Sequence, residues 1–119
     1  MNIDRQQIGR DAEERAAHRL AQAGLTLVAR NYRCRAGELD IVAIEAGVLV
    51  IAEVRLRSRA DFGGAAASIT AGKRRRITRA ARHLLARNRK LARLPARFDV
   101  LLVDAAEPIE WIRGAFDAT

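Results

Sequence analysis

The run Gly37-Glu38-Leu39-Asp40-Ile41-Val42-Ala43-Ile44-Glu45-Ala46-Gly47-Val48-Leu49-Val50-Ile51-Ala52-Glu53-Val54-Arg55 decides the fold. Two strand-like stretches, Glu38 to Ile44 and Val48 to Arg57, flank the short connection Glu45-Ala46-Gly47, so the segment reads as a β-hairpin. Both stretches are apolar on both faces in part, which places them in the middle of a covered sheet and not at a solvent-facing edge. Alternate residues of a strand share a face. Glu38, Asp40, Val42 and Ile44 therefore point one way and Leu39, Ile41 and Ala43 the other, while Leu49, Ile51, Glu53, Arg55 and Arg57 share a face of the second strand.

If Ala46 and Gly47 make a two-residue turn, Glu45 pairs with Val48, and counting back sets Asp40 opposite Glu53. Alanine is unfavourable where a turn requires positive φ, and a bulge there would shift the pairing by one. In the direct register the two carboxylates have Cβ atoms about 5 Å apart, close enough to share one cation and close enough to repel without one. A hard divalent ion such as Mg²⁺ suits the pair, since it takes one or two carboxylates and fills its other positions with water and phosphate oxygens. The same carboxylates could equally be tied to Arg33, Arg35, Arg55 or Arg57 as structural ion pairs, and spacing alone leaves both readings open.

Outward from the hairpin, Ile8, Ala12, Ala16, Leu20 and Ala23 recur at helical spacing between Arg5 and Ala23, and Gly24 supplies a stop. Leu25 to Ala29 has strand composition, and Asn31 to Gly37 reads as a strand end and a basic loop. Ser58 to Gly64 is a polar loop. A long helix is predicted from Ser68 to Leu91, ended before Pro95, followed by strands over Arg97 to Val103 and Ile109 to Arg113. The order is helix, three strands, long helix, two strands: an α/β fold with a central mixed sheet flanked by helices, in one domain over residues 1–119.

The composition fits such a domain, with half the residues hydrophobic and 30% charged. The net charge of +8 would gather polyanions, and nucleic acid leads the candidates, ahead of an anionic lipid surface or an acidic protein partner. Cys34 is the lone cysteine, so no internal disulfide or cysteine-based zinc site can form. The N-terminus lacks the apolar core of a signal peptide and no uncharged apolar run is long enough to span a bilayer, so a cytoplasmic protein with no membrane partner is expected.

Gly37-Glu38-Leu39-Asp40-Ile41-Val42 followed thirteen residues after Asp40 by Glu53-Val54-Arg55 resembles the D…ExK core of the PD-(D/E)xK nuclease superfamily. The chain also resembles, over nearly its whole length, the YraN family of uncharacterised bacterial proteins. That likeness rests on Gly9 with Glu13, Asn31-Tyr32-Arg33, Gly37-Glu38-Leu39-Asp40, Glu53-Val54-Arg55, Lys73, Arg97-Phe98-Asp99-Val100 and Ala115-Phe116. The resemblance implies a restriction endonuclease-like core related to Holliday junction resolvases. It implies Asp40 and Glu53 as ligands of Mg²⁺ or Mn²⁺ with Glu13 contributing from the first helix, duplex or branched DNA as partner, and a homodimer by analogy.

Arg55 departs from the nuclease pattern, which has lysine there. A lysine can lose its proton in such a site, whereas an arginine stays charged and can only hold a phosphate or its developing charge. Lys73 is the candidate replacement, because on the long helix it shares a stripe with Ile77, Ala80, Ala81 and Leu84 that faces the body of the protein. A lysine there can instead snorkel at the surface.

Between Asp61 and Asp99 there is no acidic residue and there are eleven basic ones. Arg75, Arg79 and Arg82 form a stripe away from the apolar side, suited to phosphates, with Lys73, Arg74 and Arg57 as further candidate contacts. No aromatic interleaves with this run, so stacking on unpaired bases is not indicated. His18 and His83 receive no role. Three readings stand: a metal-dependent endonuclease with Asp40, Glu53, Arg55, Glu13 and Lys73 at its centre, as the resemblance implies; a nucleic-acid-binding module in which Arg55 has replaced cutting by holding; or an interaction protein whose basic helix docks onto an acidic partner or anionic lipid.

Overall fold

The hairpin forms in the direct register. In the computed structural model, which describes residues 5–57, 69–104 and 108–117, Ala46 and Gly47 take φ of +49° and +81°. These are the left-handed residues of a two-residue turn whose twist matches the strands it joins. Glu45 pairs with Val48, and the ladder runs through Ile44 with Leu49, Ala43 with Val50 and Val42 with Ile51 to Ile41 with Ala52. Ala46 accepts the unfavourable conformation because a shift by one would turn both strands' aliphatics to the wrong faces.

The elements are α1 (Arg5–Gln22), β1 (Thr26–Cys34), β2 (Gly37–Glu45), β3 (Val48–Leu56), α2 (Ala71–Arg87), α3 (Arg89–Ala92), β4 (Ala96–Val103) and β5 (Glu110–Phe116). They build a five-stranded sheet in the order β1-β2-β3-β4-β5. β3 and β4 are parallel and joined through α2, and the other neighbouring pairs are antiparallel. The predicted mixed sheet flanked by helices is thus present, with β3 at its centre.

One core lies on each side of the sheet. On the α1 side Ala12, Ala16, Ala17 and Leu20 pack over Ile41, Ala43, Val50, Ala52 and Leu101. Small residues at helical spacing let α1 lie close to the sheet. On the other side Ile77, Ala80, Ala81 and Leu84 of α2 cover Val42, Leu49, Ile51, Val100 and Leu102, as the apolar stripe predicts. Leu39 belongs to this second core although alternation from Ile41 would put it on the first; the departure coincides with the place where β2 leaves β3.

Several expectations are corrected. The basic loop after Ala29 is strand: β1 runs on to Cys34, paired with β2 as far as Gly37, and a bulge at Val28 adjusts its register. The long helix is two helices. Asn88 is extended, and its side chain accepts the Leu91 N–H at 3.1 Å to start α3. The last strand begins at Glu110 and reaches Phe116. The predicted Ser58 to Gly64 loop and the helix start at Ser68 lie outside the described residues. Among the described residues no helix is long and apolar enough to cross a membrane.

Candidate functional site

The β2–β3 ladder ends at Ile41 with Ala52, one position short of the two carboxylates. Both strands continue. The first part of β2 stays with β1 through Leu39 with Tyr32, Glu38 with Arg33 and Gly37 with Cys34, and the last part of β3 stays with β4 from Glu53 with Val100 to Leu56 with Val103. The centre of the sheet therefore forks, with Asp40 on one arm and Glu53 on the other. Asp40 Oδ2 accepts the Val54 N–H at 2.8 Å across the fork, standing in for a backbone carbonyl.

Glu53 is only 5% exposed, and a carboxylate so buried needs a partner. Lys73 provides it: from the first turn of α2 its Nζ lies 2.7 Å from Glu53 Oε1. The inward reading of Lys73 is the observed one. Thr70 caps the helix there, its side chain accepting the Lys73 N–H at 3.1 Å, which fixes the turn that presents the lysine. Burial, then the charge of Glu53, pushes the Asp40 carboxyl up to about 7, with the Val54 N–H and Lys73 pulling the other way. Around neutral pH Asp40 therefore holds its proton part of the time.

Glu13 reaches the same place from α1. Its carboxyl is raised above the usual range, first by burial and then by the charge of Asp40. With the Asn31 amide turned so that Nδ2 faces the acids, that group donates to Glu13 Oε2 at 3.1 Å and to Glu38 Oε1 at 3.2 Å. Asn31 has φ +53°, a left-handed position that asparagine tolerates better than most residues.

Two hollows meet at the carboxylates. The first, of about 330 Å³, is walled by Gly9, Ala12 and Glu13 on the α1 side and by Val54, Arg55 and Leu56 of β3. The second, of about 190 Å³, is walled by Gly37 and Glu38 at the start of β2 and by Arg76 and Ile77 of α2. Asp40, Glu53 and Lys73 line both. Arg55 Nε is buried with no acceptor among the described residues.

The donor set suits a hard divalent cation: two adjacent carboxylates, one of them raised by its burial and by the charge of the other. Among the described residues no three acidic, histidine or cysteine groups stand together as a complete metal-holding set. Asp40 and Glu53 are the close pair, and Glu13 lines the wall beside them.

The candidate nucleic-acid contacts divide. Arg75, Arg79 and Arg82 are exposed along α2, and no ion pair engages them among the described residues. Arg74 is turned inward: its Nε donates to the Ile69 carbonyl at 3.2 Å and its guanidinium lies 5.5 Å from the centre of the Phe116 ring. Arg57 is paired with Glu110. His83, given no role from sequence, hydrogen-bonds Tyr32 through Nδ1 and ties α2 to β1.

Asp99 is a residue that sequence reasoning left without a role. It is fully buried, receives Arg97 Nε at 3.0 and 3.2 Å, Trp111 Nε1 at 3.0 Å and the Gly114 N–H at 2.9 Å, and Arg97 passes on to Glu45 at 2.8 Å. This network joins the hairpin turn to β4 and β5 at the end of the sheet away from the fork, and its work is structural. The Gly114 bond satisfies a bulge in the β4–β5 ladder.

A family model described as uncharacterised protein family UPF0102 matches residues 12–103, a span that contains Glu13, Asp40, Glu53, Arg55, Lys73 and Arg76. A UPF0102 protein of Dechloromonas aromatica is 53% identical over 110 residues, covering 92% of this chain and 88% of that protein. One of Methylobacillus flagellatus is 48% identical over 114 residues, 94% of this chain and 98% of that protein, and one of Legionella pneumophila is 43% identical over 114 residues, 95% and 97%.

Proposed function

We propose, from the premise that the chain belongs to the uncharacterised protein family UPF0102, that it is a nucleic-acid-binding protein of restriction endonuclease-like type that hydrolyses phosphodiesters. The observation that carries the reading is the fork: Asp40 and Glu53 stand together where the sheet opens, with Lys73 on Glu53 at 2.7 Å and Arg55 on the wall of the same hollow. A stabilising salt bridge would not need a second carboxylate buried beside it with its carboxyl raised to about 7.

Asp40 and Glu53, with Glu13 alongside, would hold Mg²⁺ or Mn²⁺. That ion would polarise the phosphodiester and lower the pKa of a bound water. Water then adds across a P–O bond to leave a phosphate monoester and an alcohol. Lys73 supplies the ammonium that the pattern expects at position 55, brought from α2 instead of from β3. Arg55 serves as a phosphate clamp from the wall of the first hollow. Arg75, Arg79 and Arg82 extend the positive surface along α2 for the backbone of duplex or branched DNA, or of structured RNA. A homodimer fits such substrates.

A second reading, a binding module that does not cut, draws on Arg55 and on the absence of a complete metal-holding set among the described residues. Incubating duplex, branched and single-stranded substrates with Mn²⁺ separates the two. The natural chain is expected to cleave at least one, with Asp40→Asn and Lys73→Ala slowed by about 100-fold or more. Unchanged cleavage by Asp40→Asn would remove the site assignment, and cleavage by Arg55→Lys alone would establish the binding module.

A further inference from the structure

The sequence Lys73-Arg74-Arg75-Arg76 opens α2 with four consecutive cations, and successive helical residues are turned by about 100°. They consequently meet four different surroundings. Lys73 pairs with Glu53, Arg74 folds back toward Ile69 and Phe116, and Arg75 is exposed. Arg76 lines the second hollow together with Asp40 and Glu53.

Its place there is built by Gly37. A Cβ on Gly37 would lie 3.3 Å from both Arg76 Cβ and Arg76 O, a tight contact that glycine avoids where the start of β2 presses on the helix backbone. The other charged side chain on that wall, Glu38, is engaged elsewhere, with Arg33 Nε at 3.6 Å and the Asn31 amide at 3.2 Å. Arg76 is exposed and has no ion-pair partner among the described residues. One wall of each hollow thus carries an arginine with no acidic partner among the described residues: Arg55 on the α1 side of the carboxylates and Arg76 on the α2 side.

Resting on the reading of the fork as a phosphodiester site, we propose that the chain holds two neighbouring phosphates of one nucleic-acid strand, the first against Arg55 and the next against Arg76, so that the strand crosses the fork from one hollow to the other. The substrate class is then an internal segment of a strand, with nucleotides on both sides of the bond over the carboxylates, and not a terminal phosphate. Arg76 is a substrate-positioning residue that touches the phosphate and takes no part in bond breaking.

The test is the salt dependence of binding to a short labelled single strand and to the matching duplex, measured without added divalent ion so that nothing is cut. The natural chain, Arg76→Gln, Arg76→Lys and Arg93→Gln are compared, Arg93 being exposed beyond α3 at the far end of the helical segment. Loss of one phosphate contact lowers the slope of log K against log salt by about 0.9 on duplex and about 0.7 on single strand. Arg76→Gln is expected to show that drop and an affinity loss of about tenfold at low salt, with Arg76→Lys keeping most of the slope and Arg93→Gln all of it. Thermal melting of each variant controls for folding. Binding by the natural chain with a slope that Arg76→Gln leaves unchanged overturns this proposal alone, whereas absence of binding to both substrates overturns it together with the nucleic-acid reading beneath it.

Discussion

At the scale of single residues, the burial of Asp40 has a cost that its carboxyl shows. Its carboxyl normally titrates near 3.8 and is pushed up to about 7 in the fold, by burial and by Glu53. Between those values the folded protein keeps a proton that the unfolded chain has released, so the stability linked to this one carboxyl is fully present below about pH 4 and is lost as pH rises through 7. Asp40→Asn cannot ionise. Denaturant midpoints measured across this range should decline with pH in the natural chain and be flatter in the variant, which overtakes it above pH 7; parallel declines would show that Asp40 does not carry the effect. On the proposed reading, the ammonium expected on β3 arrives from α2 as Lys73, and β3 carries the guanidinium of Arg55 in its place.

At the scale of elements, the hairpin was legible because two local rules agreed, apolar periodicity and a glycine in the turn. The register followed by counting, and so did the neighbourhood of Asp40 and Glu53. Ala46 is the one residue that resists it, held at φ +49°. Ala46→Asn creates the Asn-Gly pair that such turns prefer and should stabilise the protein by about 1 kcal/mol in denaturant unfolding, with the site untouched; destabilisation would mean that the turn is not of this type. The inward stripe of α2 was equally legible, and it put Lys73 on the side facing the sheet. The fork was not, because it depends on β1 and β4 each keeping its own neighbour while β2 and β3 part. Which of Arg74 and Arg76 faces the carboxylates depends on where α2 sits against Gly37, and the buried role of Asp99 depends on a bulge opposite it in β5. These are tertiary facts with no local signature.

At the scale of the whole molecule, the sheet divides labour between its ends. The Asp99, Arg97 and Glu45 network fastens one end, and the other end opens between α1 and α2, each helix delivering one charged side chain, Glu13 and Lys73, to the carboxylates. A net charge of +8 favours polyanion capture over the whole surface, but what distinguishes the fork from the rest of that surface is the gathering of Glu13, Asp40 and Glu53 around one hollow. The proposed role of these carboxylates is to receive a divalent cation. Mn²⁺ titration followed by electron paramagnetic resonance, at a pH well above 7 so that Asp40 is ionised, tests it most directly. The account predicts one saturable Mn²⁺ per natural chain, lost in Asp40→Asn and weakened in Glu13→Gln; no uptake by the natural chain, or the same affinity in Asp40→Asn, would contradict it.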